Sequence, residues 1–298
     1  MSYTRAMKDL SIVIPAYNEE KRLSSTLESV YAYLTSREIE FELLVVDDGS
    51  RDGTVEIVQE FAKHHDSVRL LSYSPNQGKG YAVRQGVLKS SGARVLFNDA
   101  DGSSPIQEIE KLEASLNSGF DIAIASRAKP DSSRKVNALA YRKFIGNFFN
   151  FIVQTLLLKG IQDSQCGFKL FTRKAADAVF GVARENGFAF DVELLHVARL
   201  HGLRIEEVPI NWTNVDGSKV NLVLDSSKMF IDVLKIKLRS IIGLYKAVTF
   251  KPYEKKTPKQ VNQKIQRKQN IEPIEPIENI GNINQQNKEL SIPSSQLR

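Results

Sequence analysis

Residues 95–102 read VLFNDADG, an apolar run that ends in a turn with two carboxylates. The run predicts a buried strand, so Asp99 and Asp101 would lie at the carboxyl edge of a sheet, where open α/β sheets bind ligands. Two close carboxylates repel each other unless a cation or hydrogen bonds separate them. A divalent ion shared with a substrate diphosphate would do this. An Asx turn that caps the following helix explains the same residues equally well.

Strand and helix patterns alternate on both sides of this stretch. Short runs rich in apolar and β-branched residues predict five strands, at Ser11–Ile14, Phe41–Val46, Val68–Ser72, Arg94–Phe97 and Asp121–Ala125. Apolar residues at helical spacing lie between the first, second and third runs. This order predicts an α/β fold with a Rossmann-like, mostly parallel sheet flanked by helices.

The second half of the chain has a looser pattern. It contains a long apolar segment from Phe144 to Leu158 and predicts helices at Lys174–Ala183 and Phe190–His201, followed by a strand at Arg204–Pro209. We expect these elements to pack on the open end of the sheet and to close a substrate cleft.

The composition permits an enzyme and limits its chemistry. The chain has 298 residues, of which 42% are hydrophobic, enough for a substantial core. The single cysteine, Cys166, cannot form a disulfide within the chain, and no cluster of cysteine and histidine suggests zinc. We therefore expect a reducing, cytoplasmic location. The net charge of +6 favours anionic partners.

The C-terminal part of the sequence divides the chain into three regions: a folded domain over residues 1–220, an amphipathic basic helix over 221–250 and a disordered tail over 251–298. The helix could lie on an anionic membrane surface or pack on the core with a solvated basic face. The tail has six basic residues and no acid from Lys255 to Lys268. Because no aromatic residues alternate with these basic ones, we expect no nucleic acid partner.

The N-terminus and the apolar segments do not predict membrane insertion. Residues 1–10 are polar, and no stretch reaches the roughly 18 apolar residues of a spanning helix. We therefore expect neither a signal peptide nor a spanning helix, and any membrane contact would be peripheral.

Acidic and aromatic residues also follow the first two strands. Asp47 and Asp48 would accept hydrogen bonds from a base or ribose, or form a helix-capping turn. Tyr17 could stack on a base and Glu19 could accept a ribose hydroxyl, although Asn18 between them could simply cap the next helix. The glycine-lined loop around Lys79, NQGKG at residues 76–80, could face a phosphate or be an ordinary turn.

Taken together, these motifs resemble those of the family 2 inverting glycosyltransferases, which have the GT-A fold. The stretches SIVIPAYNE (11–19), VDDGSRDGT (46–54), NQGKG (76–80) and DADG (99–102) have the family's order and spacing, and the likeness covers roughly residues 10–245. The stretches QCGFKLF (165–171), GFAFDVEL (187–194), VPINW (208–212) and GSK (217–219) are most similar to the members that transfer glucose to dolichyl phosphate. The related mannosyltransferases share much of this pattern.

The resemblance implies roles for the residues that follow the strands. Residues 1–220 would form the GT-A catalytic domain. The nucleoside of a nucleotide-sugar donor would be held by Pro15, Tyr17, Glu19 and one or both of Asp47 and Asp48, with Lys79 close to it. Asp99, Ala100 and Asp101 would hold Mg²⁺ or Mn²⁺ against the donor diphosphate, with Asp101 as the direct ligand. Lys219 would lie near the same diphosphate.

The resemblance also implies an acceptor and a reaction. Arg127 and Arg142 match basic positions that bind the acceptor phosphate in the related mannosyltransferases. We expect in-line displacement with inversion, in which a polyprenyl phosphate needs positioning and no deprotonation. A hydroxyl of a glycan or glycolipid is the alternative acceptor and would need a general base. Asp191 and Glu193 are candidates for that base, or polar residues of a helix N-terminus.

Overall fold

A seven-stranded sheet forms the centre of the molecule in the computed structural model, which describes residues 8–129, 136–137, 150–215 and 222–246. Its strands are β1 (Leu10–Ala16), β2 (Phe41–Asp47), β3 (Val68–Ser72), β4 (Arg94–Asn98), β5 (Ile122–Ser126), β7 (Phe168–Thr172) and β8 (Ile205–Pro209). They are ordered β3-β2-β1-β4-β7-β5-β8. Two short strands, β6 (Val136–Asn137) and β9 (Trp212–Thr213), pair separately.

Helices cover both faces of this sheet. They are α1 (Leu23–Thr35), α2 (Thr54–Lys63), α3 (Lys79–Lys89), α4 (Ile109–Asn117), α5 (Arg173–Phe180), α6 (Phe190–Leu200) and α7 (Leu222–Ile241), with a 3₁₀ turn at Ile106–Glu108 and a helical segment at 150–156. Alternate side chains of each strand face opposite layers. In β1, Val13 packs with α3, α5 and α6, while Ile12 and Ile14 pack with α1, α2 and α4.

The predicted α/β fold is confirmed, with one strand of the seven-stranded sheet that the pattern missed. All sheet pairings are parallel except those of β7, which runs antiparallel between β4 and β5. Residues 168–172 read FKLFT, and Lys169 is completely buried there. A lysine in the middle of a short run breaks the apolar pattern by which a central strand is recognised.

The strand order creates a crevice at one place on the sheet. β1 pairs with β2 on one side and with β4 on the other. The chain runs outward from β1 through β2 to β3 and then returns to the opposite side of β1 as β4, so the direction of the crossovers switches at this point. Ligands of open α/β sheets bind at such a switch point, beyond the carboxyl ends of the strands. Tyr17 follows β1, Asp48 follows β2 and Asp99 follows β4, so the fold brings three of the predicted site segments to one edge.

Some predictions concern residues outside the described ranges. These are Arg142, Lys219, residues 144–149 of the apolar segment and the tail over 251–298, so the division into three regions stays a prediction. None of the helices in the described part of the chain combines the length and the apolarity needed to cross a membrane.

Candidate active site

The turn that carries the acid pair is held by hydrogen bonds to two other segments and by one within the turn. The amide of Asp99 donates to the carbonyl of Gly167 over 2.9 Å, and Thr26 Oγ1 donates to the carbonyl of Ala100 over 2.9 Å. Asp101 Oδ1 accepts from the amide of Ser103 at 2.9 Å, which is an Asx turn. No side chain caps the 3₁₀ turn that follows. The Asx turn is therefore present, but it does not serve as a helix cap.

A lysine pairs with one of the two acids. Lys79 Nζ lies 2.6 Å from Asp99 Oδ1 and 5.4 Å from the centre of the Phe97 ring. Burial alone would lower the pKa of Lys79, but the carboxylates of Asp99 and Asp191 outweigh it and raise the pKa. Lys79 thus stays charged and pairs with Asp99. Both carboxylates are half-buried, so the two acids differ in this lysine contact and not in their exposure.

The loop around Lys79 is tied into the protein through its backbone. The amides of Gln77 and Gly78 donate to the two oxygens of Asp48 over 2.7 and 2.9 Å, and the amide of Gly80 donates to the carbonyl of Asn186 over 2.8 Å. These amides, which the sequence suggested for a phosphate, have partners within the chain. Of this loop, the side chain of Lys79 reaches the acid turn.

The residues predicted for the nucleoside surround the ends of β1 and β2. Asp47 is buried and accepts from the amide of Ser50 at 3.1 Å and from Ser72 Oγ at 2.9 Å. Tyr17 is 37% exposed, so part of its side chain is open to solvent. Pro15 is buried in β1.

The loop after β1 is fixed by polar contacts that the sequence pattern did not predict. Nε and Nη2 of Arg22 donate to the carboxylate of Glu19 over 2.8 and 2.6 Å. Asn18 adopts a positive φ of 54° and accepts from the amide of Arg51 over 2.7 Å. The N-cap residue of α1 is Arg22, whose side chain makes no capping hydrogen bond to the helix. Asn18 therefore joins two loops and is not a helix cap.

Asp191 and Glu193 lie at the start of α6 in different surroundings. Asp191 is 2.6 Å from the Nζ of buried Lys169, and burial raises its pKa despite that neighbour. Glu193 accepts from the amides of Arg184 and Glu185 over 2.8 and 2.6 Å and from the Tyr245 hydroxyl over 2.6 Å. Glu193 is therefore a structural carboxylate, while Asp191 belongs to the lysine and carboxylate cluster below the acid turn.

Arg127 is held by an acid that sequence reasoning missed. Its Nε and Nη2 donate to the two oxygens of Asp163 over 2.8 and 2.9 Å, and its guanidinium lies 5.4 Å from the centre of the Trp212 ring. Burial alone would lower the pKa of Arg127, but the carboxylate of Asp163 outweighs burial and raises the pKa above its ordinary value. This pair uses one edge of the guanidinium and leaves Nη1 for another ligand.

Cys166 has the properties of a packing residue. It is 1% exposed, and burial raises the pKa of its thiol to about 12. A thiol with such a pKa is not a nucleophile at neutral pH, so Cys166 is a small buried residue of the core.

The donor set fits a divalent ion that is shared with a substrate. Among the described residues, no group of three or more Asp, Glu, His and Cys is arranged to hold a metal ion. Mg²⁺ commonly takes one or two carboxylates and completes its shell with substrate phosphates and water. Half-exposed Asp101, with Asp99 beside it, supplies such hard oxygen ligands at the crevice.

A doubly wound sheet with an acid turn at its switch point defines a class of proteins that bind nucleotides in this crevice. The chain is a glycosyltransferase and belongs to glycosyl transferase family 2, with the GT-A fold, because the model of that family matches residues 11–180, more than half of its length.

Its curated relatives include two well-covered matches. The human protein named dolichyl-phosphate β-glucosyltransferase is 38% identical over 252 residues, which cover 80% of this chain and 78% of the human one. The protein of that name from Saccharomyces cerevisiae is 36% identical over 255 residues, which cover 80% of this chain and 76% of the yeast one.

A solved structure shares the fold at low sequence identity. Glucosyl-3-phosphoglycerate synthase from Mycobacterium tuberculosis, in complex with Mn²⁺, UDP-glucose and phosphoglyceric acid, aligns with a TM-score of 0.59 and 18% identity. The alignment covers 77% of this chain and 80% of the mycobacterial chain. At this identity the likeness shows the fold alone.

Gly167 is a site residue that the chain pattern did not reveal. A Cβ at this position would collide with the carboxylate of Asp99. We expect Gly167→Ala to displace that carboxylate and to lower the rate of sugar transfer by about a hundredfold, since small misplacements at a reacting centre have effects of this size. The measurement is kcat together with thermal melting.

Gly53→Ala is the matched control for this substitution. Its added Cβ would meet Glu20 Oε2 at 3.4 Å, which is ordinary contact, and its φ of −71° suits any residue. We expect this variant to keep wild-type activity. Full activity of Gly167→Ala would contradict the placement of Asp99.

Proposed function

We propose that this glycosyltransferase transfers glucose from UDP-glucose to a polyprenyl phosphate such as dolichyl phosphate, with inversion and with Mg²⁺ or Mn²⁺ at the donor diphosphate. The acid turn carries the proposal, since Asp99 and Asp101 are both half-buried just after β4, where Lys79 pairs with Asp99. The names of the human and yeast relatives support the glucose and the acceptor. UDP-glucose and Mn²⁺ in the mycobacterial structure support the donor and the metal.

The donor would lie across the carboxyl ends of β1, β2 and β4. Tyr17 stacks on the base, and Asp47 accepts a hydrogen bond from the base or ribose. Asp48 and Glu19 hold the surrounding loops through the contacts described above. Pro15 and Lys219 complete the predicted donor site.

Asp101 and Asp99 would hold the metal ion beside the donor diphosphate. When bound there, the ion supplies Lewis acid chemistry that stabilises the departing nucleoside diphosphate. Lys79 holds Asp99 in place, because its ammonium lies 2.6 Å from Asp99 Oδ1.

The acceptor phosphate would meet Arg127. A phosphate monoester is already an anion at neutral pH, so the protein needs only to orient it in line with the bond that breaks. The free edge of the Arg127 guanidinium can donate to a phosphate oxygen while Asp163 holds the other edge. Arg142 is proposed as the second phosphate ligand.

A hydroxyl acceptor receives less support from the structure. It would need a general base, and the predicted candidates are Asp191 and Glu193. Asp191 is paired with Lys169 at 2.6 Å, and both oxygens of Glu193 accept structural hydrogen bonds. Neither carboxylate is available in this arrangement, which favours an acceptor that needs no deprotonation.

Transfer assays with the purified chain test donor and acceptor together. UDP-glucose and GDP-mannose, each radiolabelled, are offered with polyprenyl phosphate and Mg²⁺ or Mn²⁺. We expect labelled glycolipid from UDP-glucose, and no product when EDTA replaces the metal. Product from GDP-mannose alone would overturn the assignment of UDP-glucose as the donor. Product only with a hydroxyl of a glycan or glycolipid would overturn the assignment of polyprenyl phosphate as the acceptor.

A lipid-linked acceptor also places the reaction at a membrane. We include in the proposal a peripheral position at the cytoplasmic face of that membrane. The net charge of +6 supports an anionic lipid surface as a partner.

A further inference from the structure

Helix α7 attaches to the core through one face only. Val233 and Ile236 are completely buried, and Ser240 Oγ lies 2.9 Å from His196 Nε2 of α6. Beyond the helix, the Tyr245 hydroxyl donates to Glu193 and the Tyr245 carbonyl accepts from His201 Nε2 at 2.8 Å. These contacts fix the orientation of the helix on the core, so the same side of the helix always points away from the core.

The opposite face is apolar and exposed to solvent. Of the eleven large hydrophobic side chains exposed in the described part of the chain, seven belong to this short region, and we call them the apolar face: Phe230, Ile231, Leu234, Leu238, Ile241, Ile242 and Leu244. Four of them, spaced from Phe230 to Ile241, lie within an arc of about 80° on a helix. Contiguous exposed apolar surface of this kind marks an interaction site.

Positive charge borders the apolar face on both sides. At 100° per residue, Lys237 lies along one edge of the helical part of this face, and Lys228 and Lys235 lie along the other; exposed Lys246 follows the helix. Asp232 is the only acid in residues 228–246; it is buried and pairs with Lys235 over 2.9 Å. The exposed surface of the helix is therefore apolar in the middle and cationic at its margins.

We propose that the apolar face docks onto the surface of a phospholipid bilayer that contains anionic lipids. Leucine, isoleucine and phenylalanine side chains would enter the boundary between head groups and acyl chains, and the flanking lysines would reach the phosphates. A second copy of the chain fits this surface less well. A two-fold contact through the apolar face would bring the lysine margins of both copies together without an exposed acid to pair with them.

The docked helix would lie beside the donor site. Arg239 Nη1 is 3.1 Å from Glu185 Oε2, and the next residue, Asn186, accepts a hydrogen bond from the amide of Gly80. Gly80 follows Lys79, whose ammonium pairs with Asp99. This proposal rests on the proposed function and extends it. The apolar face is the surface that would hold the donor site close to the membrane, where the phosphate of a lipid acceptor lies.

Vesicle flotation of the full chain tests the docking surface without donor or acceptor. The vesicles are phosphatidylcholine with and without phosphatidylserine. We expect the wild type to bind the anionic vesicles, and Leu238→Ser and Leu234→Ser each to weaken binding roughly tenfold, from the loss of one buried leucine. Lys237→Gln should weaken binding to the anionic vesicles by about fivefold and leave any binding to neutral vesicles unchanged.

Leu88→Ser is the matched control, because Leu88 is 44% exposed on α3 and lies outside the apolar face. It should bind like the wild type, and circular dichroism should show that every variant is folded. Equal vesicle binding by wild type, Leu234→Ser and Leu238→Ser would overturn the proposal. So would a change from dimer to monomer in these variants with vesicle binding intact.

A separate assay keeps this test distinct from that of the proposed function. A short-chain polyprenyl phosphate in detergent serves as the acceptor, so transfer does not require docking. We expect Leu238→Ser to transfer glucose there at the wild-type rate. Absence of transfer by the wild type in detergent would count against the proposed function, whereas loss of selective vesicle binding would count against the docking surface.

Discussion

Asp101→Ala should transfer sugar roughly a thousandfold more slowly than the wild type, the size of effect expected when a strong electrostatic stabiliser of a transition state is removed. Its carboxylate accepts one hydrogen bond from the Ser103 amide, so the fold should lose no more than about 1 kcal/mol. The measurements are kcat in the glycolipid assay and thermal melting of the same preparation.

Two further variants separate charge from structure at this position. Asp101→Asn keeps an oxygen for the Ser103 amide but removes the negative charge, and we expect it to be as inactive as Asp101→Ala. Asp66→Ala removes an exposed aspartate just before β3 and should leave activity unchanged. Wild-type turnover of Asp101→Ala with a normal melting temperature would refute the metal assignment.

Lys169→Met should have the largest effect on stability. Lys169 is completely buried and its Nζ lies 2.6 Å from Asp191 Oδ1, so its removal leaves a buried carboxylate without its hydrogen-bonded counterion. Breaking such a pair by removing one partner costs about 3–5 kcal/mol. The free energy of unfolding, from urea denaturation at neutral pH, should fall by this amount.

The pH dependence of this loss follows from Asp191. Burial already raises its pKa in the folded chain, and without Lys169 the pKa should rise further. The folded state then binds a proton more tightly than the unfolded state. The penalty is therefore small below the ordinary pKa of aspartate and grows as the pH rises above it.

Two controls identify the cause of the destabilisation. Lys169→Met combined with Asp191→Leu removes both charges and should recover most of the lost stability. Lys63→Met breaks a pair with Glu60 in which both side chains are more than 60% exposed, and should change stability by less than about 1 kcal/mol. If Lys169→Met were as mild as Lys63→Met, the buried pair would not stabilise the fold.

The strands and the acid turns were predictable because their patterns are local. The five strands from Ser11 to Ala125 appear near the predicted positions, and the acids at 47–48 and 99–101 follow β2 and β4 as expected. Hydrophobic periodicity reports which residues are buried within one element, and it needs no knowledge of the partners. The strand β7 was not predicted, because Lys169 breaks its apolar pattern. The burial of Lys169 depends on Asp191, a partner that is distant in the sequence.

The supporting residues of the site were not predictable in the same way. Asp163 lies 36 positions from Arg127, and Asp191 lies 22 positions from Lys169. A single acid or glycine in a loop has no periodicity, so nothing local distinguishes Asp163 or Gly167 from other loop residues. Their roles appear only when β7 and its flanking loops are placed beside β4.

The amino-acid sequence alone thus determined the α/β fold, the family resemblance and the two acid turns, since each depends on residue order within one short segment. The tertiary structure decided which charge each acid faces. Strand order places Lys79 on Asp99, Asp163 on Arg127 and Lys169 on Asp191, and leaves Asp101 half exposed at the crevice. The physical reason is that electrostatic interactions depend on distance in space and on burial, and the folded sheet sets both.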